Sequence, residues 1–282
     1  MSDEKSLKYN EPWILQRADP YVYRHTDGSY YFTASVPAYD GIVLRRAGTL
    51  AELSGAEEVM VWKKHESGPM SYHIWAPEIH YLFGKWYIYF AGGEAEDIWK
   101  IRPYVLECSG DDPLTDEWVE LGKMKRAAED EFSFEAFSLD ATVFENKGEY
   151  YYVWAEKVGV GKMISNLYIA KMESGNQLKT VQVLLTTPDY DWERKGFWVN
   201  EGPAVIHHDG KMFLTYSASE TGVDYCVGML SIDEDADILD PRLWKKERYP
   251  VLKTCEKLGI YGPGHNSFTV DEDGNDVMVY HA

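Results

Sequence analysis

The chain has 282 residues and a formal net charge of −19, because 47 Asp and Glu residues outnumber 28 Lys and Arg residues. This charge argues against a nucleic-acid partner, since such binding depends on cationic contacts with phosphate, and it also disfavours anionic membranes. Hydrophobic residues make up 45% of the chain, which is ample for a buried core. The composition therefore predicts a folded protein that binds neither nucleic acid nor a membrane.

The cysteines and the first residues bear on the cellular compartment. Cys108, Cys226 and Cys255 are few, odd in number and widely spaced, which fits neither a disulfide framework nor a metal-ligand pattern. Residues 1–6 are mostly polar and lack the apolar core of a signal peptide, and no segment is long enough to span a bilayer. These features predict a cytoplasmic protein.

In chain order, one pattern recurs five times: a polar residue, a short hydrophobic run, a turn containing glycine, and an aromatic run. The leading polar residues are Asp19, Glu78, Asp140, Glu201 and His265. They are separated by 59, 62, 61 and 64 residues. A near-constant period of this size is typical of radial β architectures.

Each copy contains two runs rich in β-branched and aromatic residues, joined by a short Gly turn, which indicates a hairpin. Further strand-like runs follow within most of the periods. Four strands per copy and five copies predict an all-β fold, a five-bladed β-propeller that occupies residues 1–282 as one domain. Only 17 residues follow His265, so we expect an incomplete fifth blade, and its exposed strands predict association between copies of the chain.

The first strand of each propeller blade lines the central channel, so the five polar residues are expected to meet there. Asp140 and Glu201 belong to neighbouring copies, and a close like charge would keep Glu201 protonated as a general acid. Asp19 would lie across the channel as a candidate general base. Carboxyl groups about 6.5–9.5 Å apart fit an inverting glycosidase and about 5–5.5 Å a retaining one, and the sequence leaves both open.

Structural interpretations stand beside these functional ones. Asp-Pro and Glu-Gly-Pro are ordinary turn sequences, and Glu78 is the acid that best fits a purely structural role. His265 could be a core histidine or a contact to a metal or substrate. Trp75 could pack in the core or could stack on the apolar face of a sugar ring.

The motifs around these residues resemble glycoside hydrolase family 43 along essentially the whole chain. The segments that carry the resemblance are Arg17–Val22, His73–Glu78, Ser138–Thr142, Trp198–Pro203 and Tyr261–Ser267. The resemblance implies a five-bladed propeller that hydrolyses arabinose- and xylose-containing glycans with inversion. It implies that Asp19 is the general base, Asp140 the residue that tunes the pKa of the acid, and Glu201 the general acid.

The resemblance also implies roles for other residues. Trp75 is similar to an aromatic wall of the sugar subsite, and His265 matches a histidine that helps to hold Ca²⁺ or another cation, partly through water. We assign Trp75, His265 and Ser217 to substrate binding. The predicted partner is a pentose-containing oligosaccharide.

The leading hypothesis is an inverting exo-glycosidase that releases terminal β-D-xylose or α-L-arabinofuranose from short oligosaccharides, within xylan degradation. A retaining, fructoside-cleaving propeller enzyme and a non-catalytic carbohydrate-binding propeller are the alternatives. The stereochemistry of the first product separates the two enzymes, whereas sugar binding without turnover would indicate the binding protein.

Overall fold

A computed structural model describes residues 11–160 and 162–282 of the chain. The polar segment at residues 1–6, on which the cytoplasmic prediction partly depends, lies outside the described residues. The described part contains nineteen β-strands, β1 to β19, and four short 3₁₀ helices, with no α-helix among them. The predicted all-β class is therefore confirmed.

The first two repeats form separate four-stranded antiparallel sheets, each with its strands in chain order. The first sheet consists of β1 (Ala18–Arg24), β2 (Tyr30–Ser35), β3 (Gly41–Ala47) and β4 (Val59–Lys63). The second consists of β5 (Tyr72–Leu82), β6 (Lys85–Glu94), β7 (Asp97–Cys108) and β8 (Val119–Lys123). Both match the four strands that the sequence predicts for a repeat.

The third and fourth repeats share one nine-stranded sheet, because β11 and β14 pair in parallel at Ile164–Trp198 and Ser165–Val199. The third repeat supplies β9 (Ser138–Asn146), β10 (Glu149–Val160), β11 (Lys162–Ser174), β12 (Gln177–Leu178) and β13 (Val183–Thr186). The fourth supplies β14 (Trp198–His208), β15 (Lys211–Ala218), β16 (Cys226–Asp233) and β17 (Lys245–Lys246). The 3₁₀ helices are Ala51–Ser54, Asp191–Glu193, Pro241–Leu243 and Glu256–Leu258.

The fifth repeat contributes a two-stranded sheet within the described residues, made of β18 (Gly264–Val270) and β19 (Asp276–His281). Its hydrophobic side chains pack on the first sheet, where Val277 and Val279 contact the cluster that contains Val22 and Phe32. The Ser267 hydroxyl also donates to the Pro20 carbonyl at 2.8 Å. The last repeat is thereby joined to the first.

Tight turns explain how the first two strands of the middle repeats form. Lys85 pairs with Leu82, Glu149 with Asn146, and Lys211 with His208, so each hairpin loop has two residues. Both loop residues have positive φ, at Phe83-Gly84, Lys147-Gly148 and Asp209-Gly210. This backbone matches the twist of the flanking strands, and glycine adopts its second position without steric cost.

The hydrophobic core lies between neighbouring sheets. Ile42 and Leu44 of the first sheet pack with Ile88 of the second. In the same way Tyr89 contacts the cluster that contains Trp154 of the third repeat. The first strands of the five repeats, β1, β5, β9, β14 and β18, contact one another in turn. These five inner strands carry the candidate site.

Candidate active site

Each inner strand is interrupted by a β-bulge at the same point. In β1, Ala18 pairs with Ser35 and Tyr21 with Thr33, so two residues of β1 oppose one of β2. The same offset occurs in β5, β9, β14 and β18. The first residue of each bulge has a left-handed φ between 42° and 54°, and these residues are Asp19, Ala76, Asp140, Gly202 and His265. Bulges re-aim side chains, and here they bring Asp19, Asp140 and His265 together.

The five polar residues of the repeat are not equivalent positions, as the sequence analysis assumed. Glu201 lies one residue before its bulge, in the position that Trp75 occupies in the second repeat. Glu78 lies beyond its bulge, is buried, and contacts Nε2 of His80 through Oε2 at 2.9 Å. The regular spacing does not reveal these one- and two-residue offsets.

Asp19 is surrounded by hydrogen-bond donors and a cation. Its Oδ2 accepts from the Ser35 hydroxyl at 2.5 Å, and its Oδ1 lies 3.1 Å from Nδ1 of His265. Burial acts to raise the pKa of Asp19, but the charge and hydrogen bond of His265, with a contribution from the Ser35 hydroxyl, outweigh it and hold the pKa well below its usual range. Asp19 is therefore ionised at neutral pH and able to accept a proton.

His265 supplies the positive charge between the acids. Its Nδ1 is also 3.7 Å from Oδ2 of Asp140, and the residue is buried. Burial acts to lower the pKa of His265, but Asp19 and Asp140 together raise it to about 10. For Asp140, burial dominates over His265 and raises the pKa to about 6.

Glu201 has the opposite environment to Asp19. Burial, followed by the neighbouring charge of Asp140, raises the pKa of Glu201 to about 8, against one hydrogen bond from the Tyr225 hydroxyl to Oε1 at 2.9 Å. The charge of Glu201 also acts on Lys157, but burial outweighs it and lowers the pKa of Lys157. The Lys157 Nζ lies 3.7 Å from the centre of the Phe137 ring. Glu201 is therefore protonated at neutral pH and able to donate a proton.

Glycine at position 202 leaves room for the ring of His265 beside Asp140. Gly202 has a φ of +53°, and a Cβ atom there would lie 3.1 Å from Cγ of His265. Its amide donates to Oδ2 of Asp140 at 3.2 Å. A side chain at this position would strain the backbone and displace His265.

Trp75 and Ser217, the other two predicted site residues, lie around the group formed by the acids and His265. Trp75 is half-buried, with its ring 4.3 Å from that of His73 and 5.9 Å from the exposed Tyr39 ring, centre to centre. Ser217 is fully buried, and its Oγ accepts from the His265 amide at 2.6 Å. Ser217 thus supports the backbone of His265 from behind.

Three residues of the site were missed from the sequence. Ser35 and His281 occupy the same register position as Ser217, opposite the residue before the bulge, so the aligned ends of the aromatic runs carried a signal for them. Tyr225 comes from the loop before β16, outside the repeated pattern, and no sequence signal indicated it.

The predicted cation is not supported by a set of direct ligands. Within residues 11–160 and 162–282, no group of three or more His, Cys, Asp or Glu side chains is placed to hold a metal ion. Nδ1 of His265 faces Asp19 and Asp140. Binding of Ca²⁺ through water near His265 stays a prediction, and no chemical step below depends on it.

Two carboxyl groups with oppositely shifted pKa values are the arrangement that general acid–base catalysis uses. The model of glycosyl hydrolases family 43 matches residues 9–282. The chain belongs to glycoside hydrolase family 43, as the motifs predicted.

Known proteins similar to this chain are consistent with the family. A Streptomyces avermitilis protein named extracellular exo-α-(1→5)-L-arabinofuranosidase is 50% identical over 277 residues, which cover 98% of this chain and 56% of that protein. A Streptomyces chartreusis protein of the same name is 49% identical, over 97% of this chain and 82% of that protein. The crystal structure of an α-L-arabinofuranosidase from Lactobacillus brevis, 52% identical, superposes with a TM-score of 0.89 over 96% of this chain and 85% of that one.

The predicted cytoplasmic location is contradicted by these comparisons, because both Streptomyces relatives are named extracellular proteins. An acidic composition with few cysteines occurs in both cytoplasmic and extracellular proteins, so it could not distinguish the two locations. In the described residues, no helix is long and apolar enough to cross a membrane.

Proposed function

We propose that this chain is an exo-acting α-L-arabinofuranosidase that removes terminal arabinofuranose from a neutral oligosaccharide with inversion. The observation that carries the proposal is the opposite surroundings of two acids. Asp19 contacts Nδ1 of His265 and the Ser35 hydroxyl, which hold its pKa low, whereas Glu201 has one phenol and burial and Asp140 raise its pKa to about 8. The names of the relatives, which cover nearly all of this chain, support arabinofuranose as the sugar. The β-xylosidase part of the sequence prediction stays a prediction.

The proposed reaction has two proton transfers, one at each acid. Asp19 takes a proton from a water molecule as the water oxygen bonds to the anomeric carbon. Glu201 gives its proton to the glycosidic oxygen as the bond to the leaving sugar breaks. Asp140 keeps Glu201 protonated through its negative charge, and it positions the inner strand through the Gly202 amide.

The proposal includes a five-bladed propeller as the fold. Five inner strands with the same bulge and the same left-handed residue support this arrangement, although β11 and β14 join two repeats in one sheet. Trp75 shares the register position of Glu201, so its ring would lie at the same level as the acid and could face the sugar.

The decisive experiment compares Glu201→Gln on two arabinofuranosides that differ only in the leaving group. We expect turnover of an α-1,5-linked arabino-oligosaccharide to fall by about 10²- to 10⁴-fold, because its leaving oxygen needs the proton. A dinitrophenyl arabinofuranoside should be much less affected, since dinitrophenolate leaves without protonation. Glu247→Gln, which changes an exposed acid, is the matched control.

Retained turnover of the oligosaccharide by Glu201→Gln would refute the assignment of the acid. NMR of the first product tests the stereochemistry: inversion is expected, and retention would instead support a nucleophilic role for Asp19. Assays with the matching aryl β-D-xyloside test the second sugar.

A further inference from the structure

A hydrogen bond between consecutive repeats recurs around the inner strands. Ser35 in the first repeat accepts the amide of Ala76 in the second at 2.8 Å. Ser217 in the fourth accepts the amide of His265 in the fifth at 2.6 Å. In each case the acceptor pairs with the residue before its own bulge, and the donor is the left-handed residue of the next bulge.

His281 makes the third bond of this kind. It pairs with Gly264, the register position of Ser35 and Ser217, and its Nδ1 accepts the Asp19 amide at 2.9 Å. This bond connects the last strand described, β19, to the bulge of β1. The two serines support neighbouring repeats, whereas His281 supports the backbone of the residue proposed as the general base.

The surroundings of His281 show which form of its ring makes this bond. Its Nδ1 is 3.5 Å from Oδ1 of Asp19, its ring lies 6.3 Å from that of His265, and it stacks on Tyr225 at 5.8 Å and 18°. A nitrogen that accepts an N–H bond carries no proton, so the ring proton is on Nε2. Burial and the charge of His265 lower the pKa of His281 against the opposing effect of Asp19, which favours this neutral form.

Resting on the proposed role of Asp19, we propose that His281 is a positioning residue for the general base. As a neutral acceptor, it holds the left-handed backbone of Asp19 through the amide and joins the fifth repeat to the first. Protonation of the ring would replace the acceptor by a donor, and the bond to the Asp19 amide would be lost. Asp19, His265 and Tyr225 are the titratable groups that face the ring.

The test compares His281→Asn with His281→Ala. The side-chain oxygen of Asn can take the place of Nδ1 as an acceptor and does not titrate, whereas Ala removes the acceptor. We expect His281→Ala to lower kcat on an aryl arabinofuranoside by about 10- to 100-fold with little change in KM, and His281→Asn to restore most of that loss.

Val279→Ala is the control for packing, because Val279 lies on the same strand and contacts the first sheet. It should lower Tm without a comparable loss of kcat. A similar loss in Val279→Ala would overturn the proposal, as would full activity of His281→Ala or failure of Asn to restore activity.

Hydrogen exchange separates this proposal from the assignment of Asp19 as base. The amide of Asp19 should exchange faster in His281→Ala than in the unmodified protein, and near the normal rate in His281→Asn. Unchanged exchange in His281→Ala would refute the proposed bond. Wild-type activity of Asp19→Asn, by contrast, would refute the proposed base and leave the exchange result standing.

Discussion

Asp19 begins the bulge of its inner strand and Glu201 lies one residue before the bulge of its own, yet the charges nearest to them are opposite in sign. Asp19 faces the charged His265 and the Ser35 hydroxyl, and its pKa falls. Glu201 faces Asp140 and one phenol, and its pKa rises to about 8. Both side chains are partly buried, and loss of solvent acts to raise both pKa values. Neighbouring charge therefore separates the base from the acid.

Asp19→Asn should have the largest effect on catalysis, because it removes the proposed general base. Loss of the general base should lower kcat by about 10²- to 10⁴-fold. The loss should be similar for good and poor leaving groups, since water must be activated in either case. Measurement of kcat on a dinitrophenyl arabinofuranoside and on an arabino-oligosaccharide tests this. A loss confined to the poor leaving group would mean that the roles of Asp19 and Glu201 are reversed.

His265→Asn removes the cation that holds the pKa of Asp19 low. Without it, burial, which is the largest single influence on Asp19, should raise the pKa of Asp19 above the usual range of a carboxyl group. Asp19 would then bind a proton as pH falls through the weakly acidic range, and kcat/KM at pH 5 should drop about 10- to 100-fold more than at pH 7. A pH–rate profile measures this.

His80→Asn is the control for His265→Asn, since it replaces another buried histidine that contacts Glu78 instead. Its acid limb should match that of the unmodified protein. An unshifted acid limb in His265→Asn would show that His265 does not set the pKa of Asp19.

Tyr225→Phe acts on the acid side and should have a smaller effect. The hydroxyl stabilises ionised Glu201, so its loss should raise the pKa of Glu201 further. Activity declines as Glu201 ionises at alkaline pH, and this decline should move to higher pH in the variant, with kcat lowered by less than about tenfold, because only one hydrogen bond is removed.

The matched control for Tyr225→Phe is Tyr216→Phe. The Tyr216 hydroxyl donates to Glu193 at 3.0 Å and does not contact Asp19 or Glu201. Its alkaline limb should stay in place. A Tyr225→Phe limb that moves to lower pH would contradict the role of the phenol.

Much of this site could be predicted from the sequence, because the repeats place one polar residue per inner strand. Asp19, Asp140 and His265 share a bulge position, as their spacing suggested. The offsets of Glu78 and Glu201 could not be read, since a period that varies by a few residues hides a shift of one or two.

The partners that set the pKa values were harder to predict than the acids. Ser35 and His281 end the aromatic runs of their repeats, at the position of Ser217, so an alignment of all five runs at that end would have identified them. Tyr225 lies in a loop and contacts Glu201 only through the tertiary fold. The five strand repeats could also be counted in the sequence. The parallel pairing of β11 with β14 could not be predicted, because it depends on how two repeats pack.

Ser35→Ala should have the smallest effect on catalysis. It separates the effect of the Ser35 hydrogen bond on Asp19 from the effect of the His265 charge. The hydroxyl donates to Asp19 and accepts the buried Ala76 amide, so its loss leaves that amide unsatisfied and should cost about 1–3 kcal/mol of stability. His265 still holds the pKa of Asp19 low, and kcat should fall by less than about tenfold with an unchanged acid limb. Thermal unfolding and the pH–rate profile measure the two effects. A marked shift of the acid limb would show that the hydroxyl, rather than the His265 charge, keeps Asp19 ionised.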